Sequence, residues 1–191
     1  MNHTLVIMRH AHATAHTSDG DRERALNTRG RSQAAEAGQL LTGRGIDLVL
    51  TSNARRCVET FEAMRLTDAA GHPVRAERMA ALYMAGPATI RQRIAEIPDE
   101  VRGLLVIGHA PGIPTLAAEL TWPTSHRDAD QLQCGFPTAT FSAFSVDGSW
   151  ADLADADFES VVPLTWSTSV QPPTDMNQEV VGQRHPQGEP R

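Results

Sequence analysis

Two histidines and two arginines in this chain stand where they could handle a phosphate. Arg9 and His10 follow directly on the apolar run Leu5-Val6-Ile7-Met8. His109 follows the run Gly103-Leu104-Leu105-Val106-Ile107-Gly108. Arg56 comes just after a third run, Asp47 to Thr51, one turn into the stretch opened by Ser52-Asn53-Ala54. A guanidinium is a fixed fork of donors matched to phosphate oxygens. A neutral imidazole nitrogen is a nucleophile at physiological pH, able to attack phosphorus. Around one anion these groups would run phosphoryl transfer without a metal. His10 would attack in line and become phosphohistidine, while Arg9, Arg56 and His109 held the equatorial oxygens. Water would then release phosphate and restore His10. The amide of Ala110 is a further candidate donor.

Such a meeting needs the three runs to be strands of one sheet, ending at one rim. In open α/β sheets ligands bind beyond the carboxyl ends of the strands. Four consecutive apolar residues in the first run read as a buried central strand. The stretch from Asn27 to Leu41 reads as an amphipathic helix, capped by Asn27 or Thr28 and stopped by Gly43 and Gly45. A second helix runs to about Met64, with Ser52 or Asn53 as its cap. Arg56 then faces the strand end, and Arg55, about 100 degrees round, points elsewhere. A weak strand is expected around Pro73–Arg78, and a helix from about Ala88 to Ile97 started by Pro87. A further helix, from about Ile113 to Leu120, would turn its free amides toward the site. Residues 121–137 read as a polar loop, a lid or an insertion. The run Ala139 to Val146 alternates with period two, as a half-buried strand does. A last strand is expected near Ser160–Leu164, with Trp150 packed back on the sheet. One domain over 1–170 is expected, and a disordered tail over 171–191, where polar residues and proline show no periodicity.

The chain has 191 residues, enough to bury a core of its own. Its net charge of −6 disfavours non-specific nucleic-acid binding. It has no lysine, which excludes a Schiff-base lysine or a Walker-type phosphate ligand. Two cysteines, Cys57 and Cys134, are too few for a disulfide framework, and Cys57 reads as core. His3, His10, His12 and His16 raise the question of zinc, but no cysteine or carboxylate set completes a tetrahedral site, so neither metal nor cofactor is expected. No secretory signal and no bilayer-spanning run is visible, so a cytoplasmic protein without membrane contact is expected.

These residues carry a resemblance. Arg9-His10-Ala11 is similar to the Arg-His-Gly signature of the histidine phosphatase superfamily, with alanine for glycine. Ser52, Arg56 and Thr60 match its serine, arginine and threonine at four-residue steps, and Gly108-His109-Ala110-Pro111 matches its Gly-His-x-Pro motif. The segment Arg24 to Arg31 resembles the one that opens the family's first helix. The likeness runs over roughly residues 4 to 165 and is nearest the short SixA-like phosphohistidine phosphatases. It implies a phosphoglycerate mutase-like fold: three-layer α/β/α with a mostly parallel central sheet. It also implies His10 as nucleophile and Arg9, Arg56 and His109 as phosphate ligands.

One departure from the larger family members bears on substrate. They protonate the leaving group with a carboxylate. The corresponding loop here, Met79 to Tyr83, carries none beyond the nearby Glu77, and Pro111-Gly112 follows the second histidine motif where an aspartate would stand. Tyr83 reads as a pocket wall. An imidazole, whose conjugate acid has a pKa of about 6.5, leaves far more readily than an alkoxide, whose conjugate acid behaves like water at about 15.7. A phosphorylated protein bearing phosphohistidine is therefore the expected substrate. The alternatives are a small phosphate ester or nucleotide, and a binding module that holds a phosphorylated partner without turnover. Nothing in the sequence fixes an oligomeric state.

Overall fold

The computed structural model describes residues 2–156 and 158–165. The expected disordered tail lies outside them. A six-stranded sheet forms the middle layer. In chain order its strands are β1 (Asn2–Arg9), β2 (Leu48–Ser52), β3 (Arg75–Met79), β4 (Gly103–Gly108), β5 (Phe141–Asp147) and β6 (Val161–Pro163). Their spatial order is β3-β2-β4-β1-β5-β6. The pairs β1/β4, β2/β4 and β2/β3 are parallel, and β1/β5 and β5/β6 antiparallel.

Helices α1 (Thr28–Leu41) and α2 (Arg55–Met64) cover one face of the sheet. Helices α3 (Pro87–Ala95) and α4 (Gly112–Thr121) cover the other. Alternation along the strands decides which residue meets which layer. Val6 and Met8 of β1 join Ala34, Ala37 and Leu41 of α1 in one core. Leu5 and Ile7 join Ile90, Ile94 and Leu116 in the other. The central strands are buried on both faces, which is why they are unbroken apolar runs.

Local signals set several boundaries. The Asn27 side chain accepts from the Gly30 amide and caps α1, a contact worth about 1 kcal/mol in helices generally. The expected cap of α2 is corrected: its N-cap is Ala54, with no side-chain cap, and Ser52 Oγ accepts from the Ala54 amide at 3.3 Å. Ser52 belongs to β2, so its hydroxyl is placed by the strand, not by the helix. The stretch 121–137 is not a plain loop. It contains α5 (His126–Cys134), capped by Ser125 and packed on α4. β5 is also not half-buried. Phe141 and Ala143 enter one core and Phe144 and Val146 the other, so its hydroxyl-bearing positions are covered as well. Trp150 is fully buried, as expected. Among the described residues no helix is long and apolar enough to cross a membrane.

Candidate active site

The parallel register brings the chemistry together. Arg9 pairs with Gly108 across β1 and β4, and the His10 amide donates to the Gly108 carbonyl at 3.0 Å. His10 and His109 therefore emerge side by side, with ring centroids 5.2 Å apart. β2, on the far side of β4, ends in Ser52, whose Oγ lies 2.9 Å from His109 Nε2. The turn after it delivers Arg56, only 2 % exposed, between the two imidazoles. Arg56 Nε donates to His10 Nε2 and its Nη2 to His109 Nδ1, each at 3.2 Å.

A guanidinium has no acceptor, so both contacted ring nitrogens must present lone pairs. This fixes the tautomers. His10 carries its proton on Nδ1, which donates to the Ala11 carbonyl at 2.8 Å. His109 carries its proton on Nε2, which donates to Ser52 Oγ. Burial first, then the positive charges of Arg56 and Arg9, pull the His10 pKa down to about 4, against the opposing bond to Ala11. Burial first, then His10 and Arg56, pull His109 to about 3. Both rings are neutral at pH 7, and His10 lines a cleft of about 560 Å³, its Nε2 lone pair engaged by Arg56 Nε alone.

Thr60, the third residue of the four-residue series, binds the loop after β1 to α2. Its Oγ1 accepts from the Ala11 amide at 3.0 Å and donates to the Arg56 carbonyl at 2.6 Å. Arg9 Nη1 donates to the Phe136 carbonyl at 2.8 Å, and its buried Nε has no protein partner. Ala110 lines the cleft. The amides expected to be free at the start of α4 are not all so: that of Ile113 donates to the His109 carbonyl at 2.9 Å. Cys57 is fully buried, as expected, and burial pushes its thiol up to about 12, so it is inert. Arg55 is exposed and pairs with Glu59 at 2.7 Å, away from the cleft.

The histidines weighed for zinc do not converge. His3 sits at the opposite end of β1, with Nε2 3.1 Å from the Asp99 carbonyl. His16 is exposed, and His12 lines the cleft with Nδ1 held by the Asn27 amide group. Among the described residues no group of three His, Cys, Asp or Glu side chains is placed to hold a metal. Glu77 is remote too: it lies on β3 and pairs with Arg75 at 3.2 Å.

Sequence reasoning missed a carboxylate inside the cleft. Asp21 stands in a three-residue 3-10 turn, Asp21–Glu23, within the polar loop after β1. That loop is folded back by a bridge between Ala13 and Leu26, and Glu59 of α2 accepts the Leu26 amide at 2.8 Å. Asp21 Oδ2 accepts from Tyr83 Oη at 2.7 Å and from Arg56 Nη2 at 2.9 Å, and Oδ1 accepts from Arg24 Nη1 at 3.0 Å. The bonds from Tyr83, Arg24 and Arg56 hold its pKa far below the usual carboxylate range. It is therefore ionised and carries no proton to give. Tyr83 forms a wall of the cleft, as expected, with its ring edge-on to His109 at 5.5 Å.

Comparison with known proteins adds descent to geometry. Residues 5–80 match the family model described as the histidine phosphatase superfamily (branch 1). An uncharacterised protein of Mycobacterium tuberculosis is 34% identical over 150 residues, covering 76% of this chain and 91% of that protein. The solved structure of a putative phosphohistidine phosphatase SixA from Nakamurella multipartitia superposes with a TM-score of 0.73 at 32% identity, over 86% of this chain and 94% of that one. A putative SixA from Agrobacterium tumefaciens superposes with a TM-score of 0.64 at 26% identity, over 75% and 92%. Sequence kinship and a shared backbone meet in one answer: this chain belongs to the histidine phosphatase superfamily, among its SixA-like members.

Proposed function

We propose that the chain is a phosphohistidine phosphatase that works on a phosphorylated protein through His10. The observation that carries this reading is the pairing of a neutral, cleft-facing His10 Nε2 with a cleft whose carboxylate is locked in its charged form. His10 Nε2 attacks phosphorus as the substrate's P–N bond breaks. The phosphoryl group, now on His10, is held by Arg9 and Arg56, whose charges and donors stabilise the equatorial oxygens, and by His109 once its Nδ1 exchanges the Arg56 bond for a proton. The substrate's imidazole, protonated on its other ring nitrogen, departs as a neutral ring, whose conjugate acid has a pKa of about 6.5. Water then attacks phosphorus, inorganic phosphate leaves, and His10 is regenerated. An ester oxygen would need a proton delivered as it leaves, and Asp21 has none to deliver.

The test compares a phosphohistidine peptide with sugar phosphates in steady-state turnover. The peptide is expected to be the far better substrate, and comparable ester turnover would transfer the assignment to a small-molecule phosphatase. His10→Ala should abolish turnover and remove the acid-labile phosphoenzyme expected on rapid quench of the wild type, while EDTA leaves activity unchanged. A protein that binds the phosphopeptide but never turns it over would be a recognition module instead.

A further inference from the structure

A guanidinium has two hydrogen-bonding edges: a side-on edge of Nε and Nη2, and an end-on edge of Nη1 and Nη2. In Arg56 the two edges have different tasks. The side-on edge spans the imidazoles, with Nε on His10 Nε2 and Nη2 on His109 Nδ1. The end-on edge is held entirely by one residue. Arg56 Nη1 donates to the Asp21 carbonyl at 2.7 Å, and Nη2 to Asp21 Oδ2 at 2.9 Å. We propose that Asp21 is the positioning residue of this site: it grips the rear edge of Arg56 through its carbonyl and carboxylate, so that the front edge is presented between the two histidines.

Asp21 is itself held. Tyr83 Oη occupies the same oxygen that binds Arg56, and Arg24 binds the other. The Arg22 guanidinium lies 4.3 Å from the centre of the Tyr83 ring, closing the turn over that residue. Arg56 is almost wholly buried, while the Asp21 side chain is 46% exposed. The aspartate therefore acts as a bracket fixed from outside, and the arginine is what it places. Two bonds on one edge set both the tilt and the rotation of the guanidinium plane, which a single bond cannot do. The phosphoryl oxygens would meet the other edge, so Asp21 acts through Arg56 and touches no reacting atom.

This inference rests on the phosphoryl-transfer reading of the cleft and is tested separately from it. Asp21→Ala keeps the backbone carbonyl and removes the carboxylate. With Arg56 free to swing by the order of an ångström, kcat/KM on the phosphohistidine peptide should fall about 100-fold, and tungstate should bind at least tenfold more weakly. Asp21→Asn, which keeps an oxygen acceptor without the charge, should recover part of both. Thermal unfolding of the variants controls for folding. The decisive measurement is a double-mutant cycle with Arg56→Lys, which has no rear edge to grip. In that background Asp21→Ala should cost less than twofold. Equal losses in both backgrounds would overturn the proposal, because Asp21 would then act independently of Arg56. Tighter tungstate binding by Asp21→Ala would also overturn it, making the carboxylate a competitor of the phosphoryl group. A wild type that binds tungstate but hydrolyses nothing removes the phosphatase reading and leaves the tungstate cycle to judge Asp21. A wild type that does not bind tungstate removes both.

Discussion

The two cleft histidines should make this protein acid-sensitive well above the range where its carboxylates titrate. In the folded chain His10 titrates near 4 and His109 near 3, whereas an unfolded histidine titrates near 6.5. Below 6.5 the unfolded state therefore binds more protons than the folded one, and stability rises with pH. The histidine contribution is fully present above 6.5 and is lost progressively as pH falls toward the folded values. At pH 5 an unfolded histidine favours the protonated form about 30-fold. His10 in the fold is only about one-tenth protonated, so the difference costs about 2 kcal/mol. His109 costs about the same, and together they remove about 4 kcal/mol from a typical 5–15. Asp21 runs the same way but over a lower range: its low folded pKa adds stability above the ordinary carboxylate value, lost only at lower pH, so pH 5 isolates the histidines.

Urea unfolding at pH 8 and pH 5 reads this directly. The wild type should lose about 4 kcal/mol between the two, a midpoint shift of about 2 M for an m-value near 2 kcal/mol/M. His10→Asn keeps a donor toward the Ala11 carbonyl but cannot titrate, and should lose about 2 kcal/mol. Taking the difference between the two proteins cancels the titrating groups remote from His10 and leaves His10 together with its effect on His109. The same depression of the His10 pKa puts the acid limb of kcat/KM near pH 4, so that turnover persists at pH 5 wherever the fold does. Equal pH-dependent losses in the wild type and His10→Asn would refute the reasoning, because His10 would then not be buried and neutral.

Two further predictions follow from contacts around the same rim. Binding of tungstate, a dianion, should be accompanied by proton uptake: the new negative charge opposes the pull of Arg56 and Arg9 on His109 and favours the imidazolium. Calorimetric titration at pH 7 in two buffers of different ionisation enthalpy measures that uptake, and identical heats in the two would exclude it. Gly30→Ala places a methyl against the His12 carbonyl, at the point where the first turn of α1 meets the loop after β1. It should cost about 1–3 kcal/mol in urea unfolding and lower kcat/KM, since the displaced loop carries Asp21; wild-type values for both would show that the loop yields freely.

What the sequence made legible was decided by strand chemistry. Leu5 to Met8 and Leu104 to Ile107 are apolar on both faces because helices cover both sides, and such runs end visibly. Arg9, His10 and His109 stand at those endings, so their meeting followed from the sheet alone. Arg56 followed from helical spacing one turn past Ser52. Elements without an apolar stripe were harder to see. Helix α5 buries only Ala129 and half-covers Leu132, an apolar stripe of two residues, although Ser125 and Asp128 carry the spacing of a capped helix start. β5 interrupts its apolar run with Ser142, which is buried beside residues of α4 and α5, and with the partly covered Ser145, so polarity alone misreports its burial.

Asp21 was illegible for a different reason, and that reason bears on how the site works. Nothing local marks it among the aspartates, threonines, serine and glycine of its loop. It reaches the cleft because the Ala13–Leu26 bridge, the Leu26–Glu59 bond and the Tyr83 hydroxyl, contributed from three distant stretches, fold the loop back over α2. The strand ends and the start of α2 therefore bring Arg9, His10, Arg56 and His109 to one rim, and the loop supplies the two acceptors on the rear edge of Arg56. The same placement bears on substrate. The carboxylate that a sequence reading finds missing is present, but three donors hold it in its charged form. A site arranged this way supplies positive charge to a phosphoryl group and offers no carboxylic proton to a leaving group. That favours substrates whose leaving nitrogen departs without one.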